Sequence, residues 1–179
     1  QNQIRSEALS DQITADQLQR WRQPDDRLSP RRPFALMCGH PRSGTTLLEQ
    51  VLDAHPGIVS AEETNIFTTD AYQPLCRGFA EATPSLEILE AAMDSALQQS
   101  RKNYFQCTEK FLGQPVGGRL LLDKNPAMKP FIPAVARIFP EARFLVAIRD
   151  PRDVCLSCFM QPLAVNQISF AYLGLEETA

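Results

Sequence analysis

Long apolar runs and a strong excess of one charge are both missing from this sequence. No segment approaches the roughly 18 to 20 uncharged apolar residues that span a bilayer, so we expect no membrane span. The amino terminus has no basic segment leading into an apolar one, and no targeting peptide is predicted. The 179 residues carry 18 Lys and Arg against 21 Asp and Glu, a formal net charge of -3. Because nucleic-acid-binding proteins usually show a basic excess, we expect no nucleic acid among the partners.

The cysteines lack the pattern of a disulfide framework. The five of them are spread from Cys38 to Cys158, and an odd number argues against a disulfide scaffold. We therefore expect a reducing compartment and a cytoplasmic protein. Cys155 and Cys158 have a C-x-x-C spacing, but no second pair follows at the distance that zinc sites use. We interpret both as residues of a helix rather than as a metal or redox pair.

Alternating apolar segments predict an α/β domain. Three short runs are apolar apart from a single arginine, Arg119, as expected of strands buried on both faces. They are residues 34–38, 119–122 and 144–148. A stretch with helical periodicity follows each run, at residues 45–54, 127–139 and 151–160, and residues 84–111 are largely helical as well. The predicted fold is a three-layer one, in which helices cover both faces of a central parallel sheet.

The predicted domain boundary lies near residue 33. Residues 1–32 are predicted to form an amino-terminal helix and a polar connector, because Pro24 interrupts the helical pattern. Residues 33–179 are predicted to form the main domain. The sequence begins without Met and stops at residues typical of a helix start, so we expect a piece of a longer protein, with the domain truncated at its carboxyl end.

The segment that points most directly to function is residues 39–46, with the sequence GHPRSGTT. A glycine-bearing loop between a buried strand and a helix directs backbone N–H groups and the positive end of the helix dipole at one spot, which suits phosphate or sulfate. The spacing of Gly39 and Gly44 is that of a Walker A loop, but Thr45 stands where the loop's Lys would be. A phosphotransferase that uses ATP and Mg²⁺ is therefore the weaker alternative. A nucleotide-binding domain without turnover is a further alternative.

Several short segments together resemble one enzyme family. Residues 41–47 (PRSGTTL), 53–56 (DAHP) and 62–64 (EET) are similar to the protein-tyrosine branch of the sulfotransferases that use 3'-phosphoadenosine 5'-phosphosulfate (PAPS). Residues 123–126 (DKNP) and 149–158 (RDPRDVCLSC) resemble bacterial sulfotransferases that follow tetratricopeptide repeats. The resemblance implies a P-loop-like fold and sulfuryl transfer from PAPS to a hydroxyl acceptor, with no metal required and adenosine 3',5'-bisphosphate as product.

The resemblance also implies roles for single residues. Arg42 and Lys124 would be catalytic cations, placed where the leaving oxygen becomes negative. The predicted 5'-phosphate site consists of Arg42, Ser43, Gly44, Thr45 and Thr46. Arg149 and Ser157 would bind the 3'-phosphate, with Arg152 as a weaker helper. The structural alternative for Lys124 is a solvated loop residue that pairs with a neighbouring carboxylate such as Asp123.

An acceptor hydroxyl must lose a proton, so a general base is needed. No histidine follows His55, and we expect His55 and Asp53 to fix the loop after the first helix rather than to react. The resemblance places Glu63 at the catalytic carboxylate, and its neighbour Glu62 is the rival. A carboxylate at a helix start is the structural alternative for Glu63. Protein tyrosine, sugars and small alcohols stay open as acceptors, as does a homodimer.

The small net charge hides an uneven distribution. Basic residues are in excess over residues 119–152, whereas acidic residues are in excess over residues 58–100. We therefore expect the phosphates of the cofactor to meet the basic half of the domain.

Overall fold

The computed structural model describes residues 12–23, 30–79 and 85–160, together with Leu9 and Leu28. The strands in this part of the chain are β1 (Phe34–Gly39), β2 (Ile58–Glu62), β3 (Leu120–Lys124) and β4 (Arg143–Ala147). They form one sheet in the order β2-β3-β1-β4, and all its pairs are parallel. The predicted α/β class and parallel sheet are confirmed.

Helices connect these strands. The α-helices in the described residues are α1 (Ala15–Arg22), α2 (Thr45–Asp53), α3 (Leu86–Ala91), α4 (Asp94–Leu112), α5 (Ile132–Ile138) and α6 (Pro151–Phe159). A π-helical turn spans Phe67–Tyr72, and short 3-10 helices span Gln73–Cys76 and Pro126–Phe131. None of the described helices combines the length and apolarity needed to cross a membrane.

The predicted amino-terminal helix is confirmed over α1 only. Its first turn is stabilised by a capping box, in which the Thr14 side chain accepts from the Gln17 N–H and the Gln17 side chain accepts from the Thr14 N–H. The predicted helical residues 1–8, the break at Pro24 and the chain after residue 160 lie outside the described residues.

The sheet separates a large core from a small one. Phe34 and Leu36 of β1 point into the large core, whereas Ala35 and Met37 point to the opposite face, which α2 covers in part. Edge-to-face and tilted ring contacts tie the large core together. The rings involved are those of Phe34, Phe67, Tyr72, Tyr104, Phe105, Phe131 and Phe139. The larger core therefore lies on the side of the sheet away from α2.

The expected full coverage of both faces is not met at β4 by the described residues. β4 is an edge strand, and its Leu145 and Val146 are 38% and 58% exposed. The helix α2 also departs from its apolar pattern, since Leu48 and Val51 are exposed and Glu49 is buried. The carboxylate of Glu49 accepts a short hydrogen bond from the Ser60 hydroxyl, so a polar contact holds this helix to β2.

The strand β2 was not predicted at all. It is short and lies at the sheet edge beside β3, with Val59 and Ala61 buried. Glu62 is therefore the last residue of β2, and Glu63 lies just beyond it, four residues before the π-helical turn Phe67–Tyr72. This strand determines where both carboxylates lie.

Candidate active site

Two residues of the loop between β1 and α2 have a left-handed backbone. Arg42 has φ 68°, and Gly44, which precedes the first turn of α2, has φ 94°. Among the described residues other than glycine, only Arg42 and Glu63 adopt positive φ. Such strain is concentrated at functional sites. Here it occurs at the predicted cofactor-binding residue Arg42 and at the predicted base Glu63.

The loop contains a buried hydroxyl group that can donate a hydrogen bond to an anion. Ser43 is 9% exposed, and its hydroxyl has no hydrogen-bond partner among the described residues. A Cβ on Gly39 would come within 2.9 Å of both the Ala147 carbonyl oxygen and Ser43 Oγ, so a side chain at this position would disturb the loop. Thr45 is buried at the first turn of α2, and Thr46 next to it is exposed. The loop therefore fits the phosphate oxygens of a nucleotide, whose acceptors would satisfy this hydroxyl and the helix N–H groups.

The structure brings three of the predicted cofactor residues together. Arg42 Nε donates to Ser157 Oγ at 3.1 Å, and Arg149 Nη1 donates to the Arg42 carbonyl oxygen at 3.2 Å. Arg149 also lies 3.6 Å from the Asp153 carboxylate, whereas Arg152 is exposed and pairs with Asp150 at 2.7 Å. The segment after β4 and the helix α6 thus place one arginine, Arg149, and one hydroxyl, that of Ser157, beside Arg42 of the loop.

A cavity of about 490 Å³ adjoins this cluster. Its walls include Gly39, His40 and Ser43 of the loop, Arg149 after β4, and Cys155 of α6. Its other lining residues are Cys38, Lys129, Ile132, Val146, Ala147, Ile148, Pro151 and Val154. An apolar space with a few converging polar groups is typical of a small-molecule site.

A second cluster lies where β2 and β3 end. The pairing of these strands puts Glu62 opposite Lys124. Lys124 Nζ donates to Glu62 Oε1 at 2.9 Å and to Glu63 Oε1 at 2.6 Å. The Lys124 side chain is 1% exposed, but those of Glu62 and Glu63 are 54% and 58% exposed. A buried cation is therefore held between two carboxylates that face solvent.

These contacts settle the charge of Lys124. Burial lowers its pKa, but the hydrogen bonds and charges of Glu63 and Glu62 outweigh that effect, and the net pKa is raised. Lys124 is therefore a positively charged donor at neutral pH. The predicted alternative pairing with Asp123 is wrong, because successive strand residues point to opposite faces.

Asp123 instead belongs to the large core. Its Oδ2 accepts a 2.6 Å hydrogen bond from the Tyr104 hydroxyl, and its Oδ1 has no partner among the described residues. Burial raises the pKa of Asp123 to about 6, although the bond from Tyr104 lowers it in part. The same burial, with the neighbouring carboxylate, holds the pKa of Tyr104 well above its usual value.

Other predicted residues have structural contacts. Asp53 Oδ1 accepts from the Ser60 N–H at 2.7 Å, and His55 Nδ1 accepts from the Gly57 N–H at 3.0 Å, so both stabilise the loop that leads into β2. Cys155 and Cys158 lie on α6, as the sequence predicts, and the Cys158 thiol contacts the Pro41 carbonyl oxygen. The arginine cluster and the Lys124 cluster both lie at the carboxyl edge of the parallel sheet.

Comparison with known proteins now identifies the family. A model described as the sulfotransferase family matches residues 33–178. The chain belongs to the sulfotransferase family. The predicted resemblance is thereby confirmed.

The curated relatives of this member of the sulfotransferase family include protein-tyrosine sulfotransferases. One from Gallus gallus, protein-tyrosine sulfotransferase 2, is 31% identical over 134 residues, covering 70% of this chain and 33% of the relative. Protein-tyrosine sulfotransferase 1 from Mus musculus is 33% identical over 128 residues, covering 67% and 32%. The Drosophila melanogaster protein is 31% identical over 134 residues, covering 75% and 26%. The chain spans about a third or less of the length of these relatives.

Proposed function

We propose that this protein transfers a sulfuryl group from PAPS to a hydroxyl group of an acceptor. The observation that carries the proposal is the buried Lys124 ammonium, held against Glu63 at the same sheet edge as a phosphate loop without a Walker lysine. Membership of the sulfotransferase family supports it. An ATP-dependent phosphotransferase is not favoured, because Thr45 replaces the lysine that such enzymes use.

The donor would be held at two places. The loop N–H groups and the side chains of Ser43, Thr45 and Thr46 would bind the 5'-phosphate, while Arg149 and Ser157 would bind the 3'-phosphate. Arg42 would link these two sites, because it belongs to the loop while its side chain contacts Ser157 and its carbonyl contacts Arg149. PAPS supplies the activated sulfuryl group together with its leaving phosphate.

Proton transfer would fall to Glu63. Its exposed carboxylate can reach an acceptor hydroxyl, while Lys124 fixes one of its oxygens at 2.6 Å. An ammonium has three N–H donors, and the two carboxylates use two of them in the described contacts. The third can donate to an oxygen that gains negative charge as the bond to the leaving group breaks.

The acceptor belongs to the proposal as well. The relatives are named as protein-tyrosine sulfotransferases, so tyrosine-containing peptides are the first class to test. Sugars and small alcohols form the second and third. We expect mass spectrometry of a panel incubated with PAPS and the full-length protein to show the gain of one sulfo group, with EDTA present. If bisphosphate binds normally but no acceptor gains mass, the protein is a nucleotide-binding module instead.

The base is tested with a matched pair of variants. Glu63→Gln keeps the shape of the side chain and deletes its basicity, so turnover should fall by about 10²- to 10⁴-fold. Glu62→Gln removes the same charge from the same Lys124 contact and should retain most of the turnover. Calorimetry should show that both variants bind adenosine 3',5'-bisphosphate about as well as the parent. If only Glu62→Gln is inactive, the base is Glu62.

A further inference from the structure

The turn that carries Glu63 is held away from its relaxed conformation. Glu63 has φ 49°, a left-handed backbone that residues with a Cβ rarely adopt. Its N–H donates to the Lys124 carbonyl oxygen at 2.8 Å, so the chain folds over the end of β3 directly after β2. A strained turn persists only where its surroundings hold it.

The side chain of Asn125 stabilises the turn that carries Glu63. Its Nδ2 donates to the Thr64 carbonyl oxygen at 2.8 Å, in a side chain whose residue is only 7% exposed. Its Oδ1 accepts from the Ala127 N–H at 3.1 Å and so caps the 3-10 helix Pro126–Phe131. Its own N–H donates to the Met37 carbonyl oxygen at 2.9 Å. One residue thus joins β1, the turn after β2 and the helix after β3.

We propose that Asn125 is a positioning residue, which aims the Glu63 carboxylate through its hydrogen bond to Thr64. The inference rests on the proposed function, because it assumes that Glu63 is the base. We assign Asn125 no catalytic role, since the described contacts of its side-chain amide are with the Thr64 carbonyl and the Ala127 N–H. Without the donor, the buried Thr64 carbonyl loses its partner and the Glu63 turn is released toward a more favourable backbone.

An amide is needed for both bonds, which allows the two roles of Asn125 to be separated. An aspartate at this position keeps an oxygen that can cap Ala127, and its ionised carboxylate has no donor for Thr64. A serine also keeps a capping oxygen, but its side chain is one bond shorter, so its single O–H falls short of the place of the Nδ2 donor. Asn125→Ser and Asn125→Asp therefore delete the proposed positioning contact while they retain a capping atom. The two variants differ in charge, so a shared effect cannot come from charge.

We expect both Asn125 variants to lower kcat and to leave the affinity for the bisphosphate nearly unchanged. With PAPS and the acceptor found in the panel above, Asn125→Ser and Asn125→Asp in the full-length protein should lower kcat by about 10- to 100-fold, because misplacement of a reacting group by about 1 Å has that effect. Their affinity for adenosine 3',5'-bisphosphate should stay within about twofold of the parent. Equal losses in kcat and bisphosphate affinity, or an unchanged kcat, would overturn the proposal.

Two further measurements distinguish a positioning role of Asn125 from a general loss of structure. In the Asn125 variants, amide hydrogen exchange measured by NMR should be faster than in the parent at Glu63 but not along β1 or β3. Faster exchange at Glu63 and along both strands would show that Asn125 has a structural role only. In a Glu63→Gln background, Asn125→Ser should cost far less than in the parent, because its effect acts through the missing base. Additive losses would refute the positioning role, and full activity of Glu63→Gln alone would refute the assignment of Glu63 as the base. The proposed function itself fails only if the parent protein sulfates no acceptor of the panel.

Discussion

The buried carboxyl of Asp123 should make the stability of this fold depend on pH, and Asp123→Asn should remove that dependence. In the folded protein Asp123 keeps its proton up to a pKa of about 6, against an ordinary value of 3.8. The folded state therefore binds more protons than the unfolded chain between these values. The stabilisation is fully present below the unfolded pKa and is lost as the pH rises through about 6.

The size of the effect follows from the difference in pKa. A difference of about two pKa units at about 1.4 kcal/mol each gives a loss of about 3 kcal/mol, of which about 2.5 kcal/mol falls between pH ~4 and pH ~8. An asparagine has nearly the same shape, can accept the hydrogen bond of Tyr104, and carries no charge at any pH. Relative to the parent, Asp123→Asn should thus gain about 2.5 kcal/mol on moving from pH ~4 to pH ~8.

Urea unfolding of parent and variant at the two pH values measures this double difference. Contributions from all other titrating groups cancel in the comparison, because they are common to both proteins. A pH-independent difference between the two proteins would show that Asp123 is ionised in the folded state, and the argument from burial would then be wrong. A difference of opposite sign would mean that a positive group compensates the carboxylate in the core.

Two variants test the anion site. Arg149→Ala should weaken the binding of adenosine 3',5'-bisphosphate by about tenfold or more, with a much smaller effect on adenosine 5'-phosphate, because the arginine is assigned to the 3'-phosphate alone; equal losses in calorimetry would move that site elsewhere. Gly39→Ala should weaken both nucleotides, since its Cβ would lie 2.9 Å from the Ala147 carbonyl oxygen and from Ser43 Oγ, and unchanged affinity would show that the loop adapts freely.

The sequence predicted well those parts of the fold whose signals are local. The run at β1, the glycine-bearing loop and the helix α2 are adjacent in the chain, so composition and spacing were enough to order them. The strand β3 and the helix α6 were found for the same reason, although Lys124 proved to lie within the strand rather than after it.

The parts that the sequence could not supply depend on contacts between distant residues. β2 contains only five residues, and its identity as a strand depends on pairing with β3. The contact between Lys124 and Glu63 spans 61 positions along the chain. Glu49 is buried because Ser60 of β2 donates to it, which no periodicity in α2 could reveal. The roles assigned to the site residues stay predictions.

The strand order has a consequence for how the protein folds during synthesis. β2 lies at the sheet edge and pairs, among the described strands, with β3 alone, which follows it only after the long helix α4. Chains emerge amino terminus first, and pairings over long separations form slowly. A nascent chain that ends before Leu120 would therefore contain the loop between β1 and α2 but lack the strand that pairs with β2, so the proposed base Glu63 would be positioned late in folding.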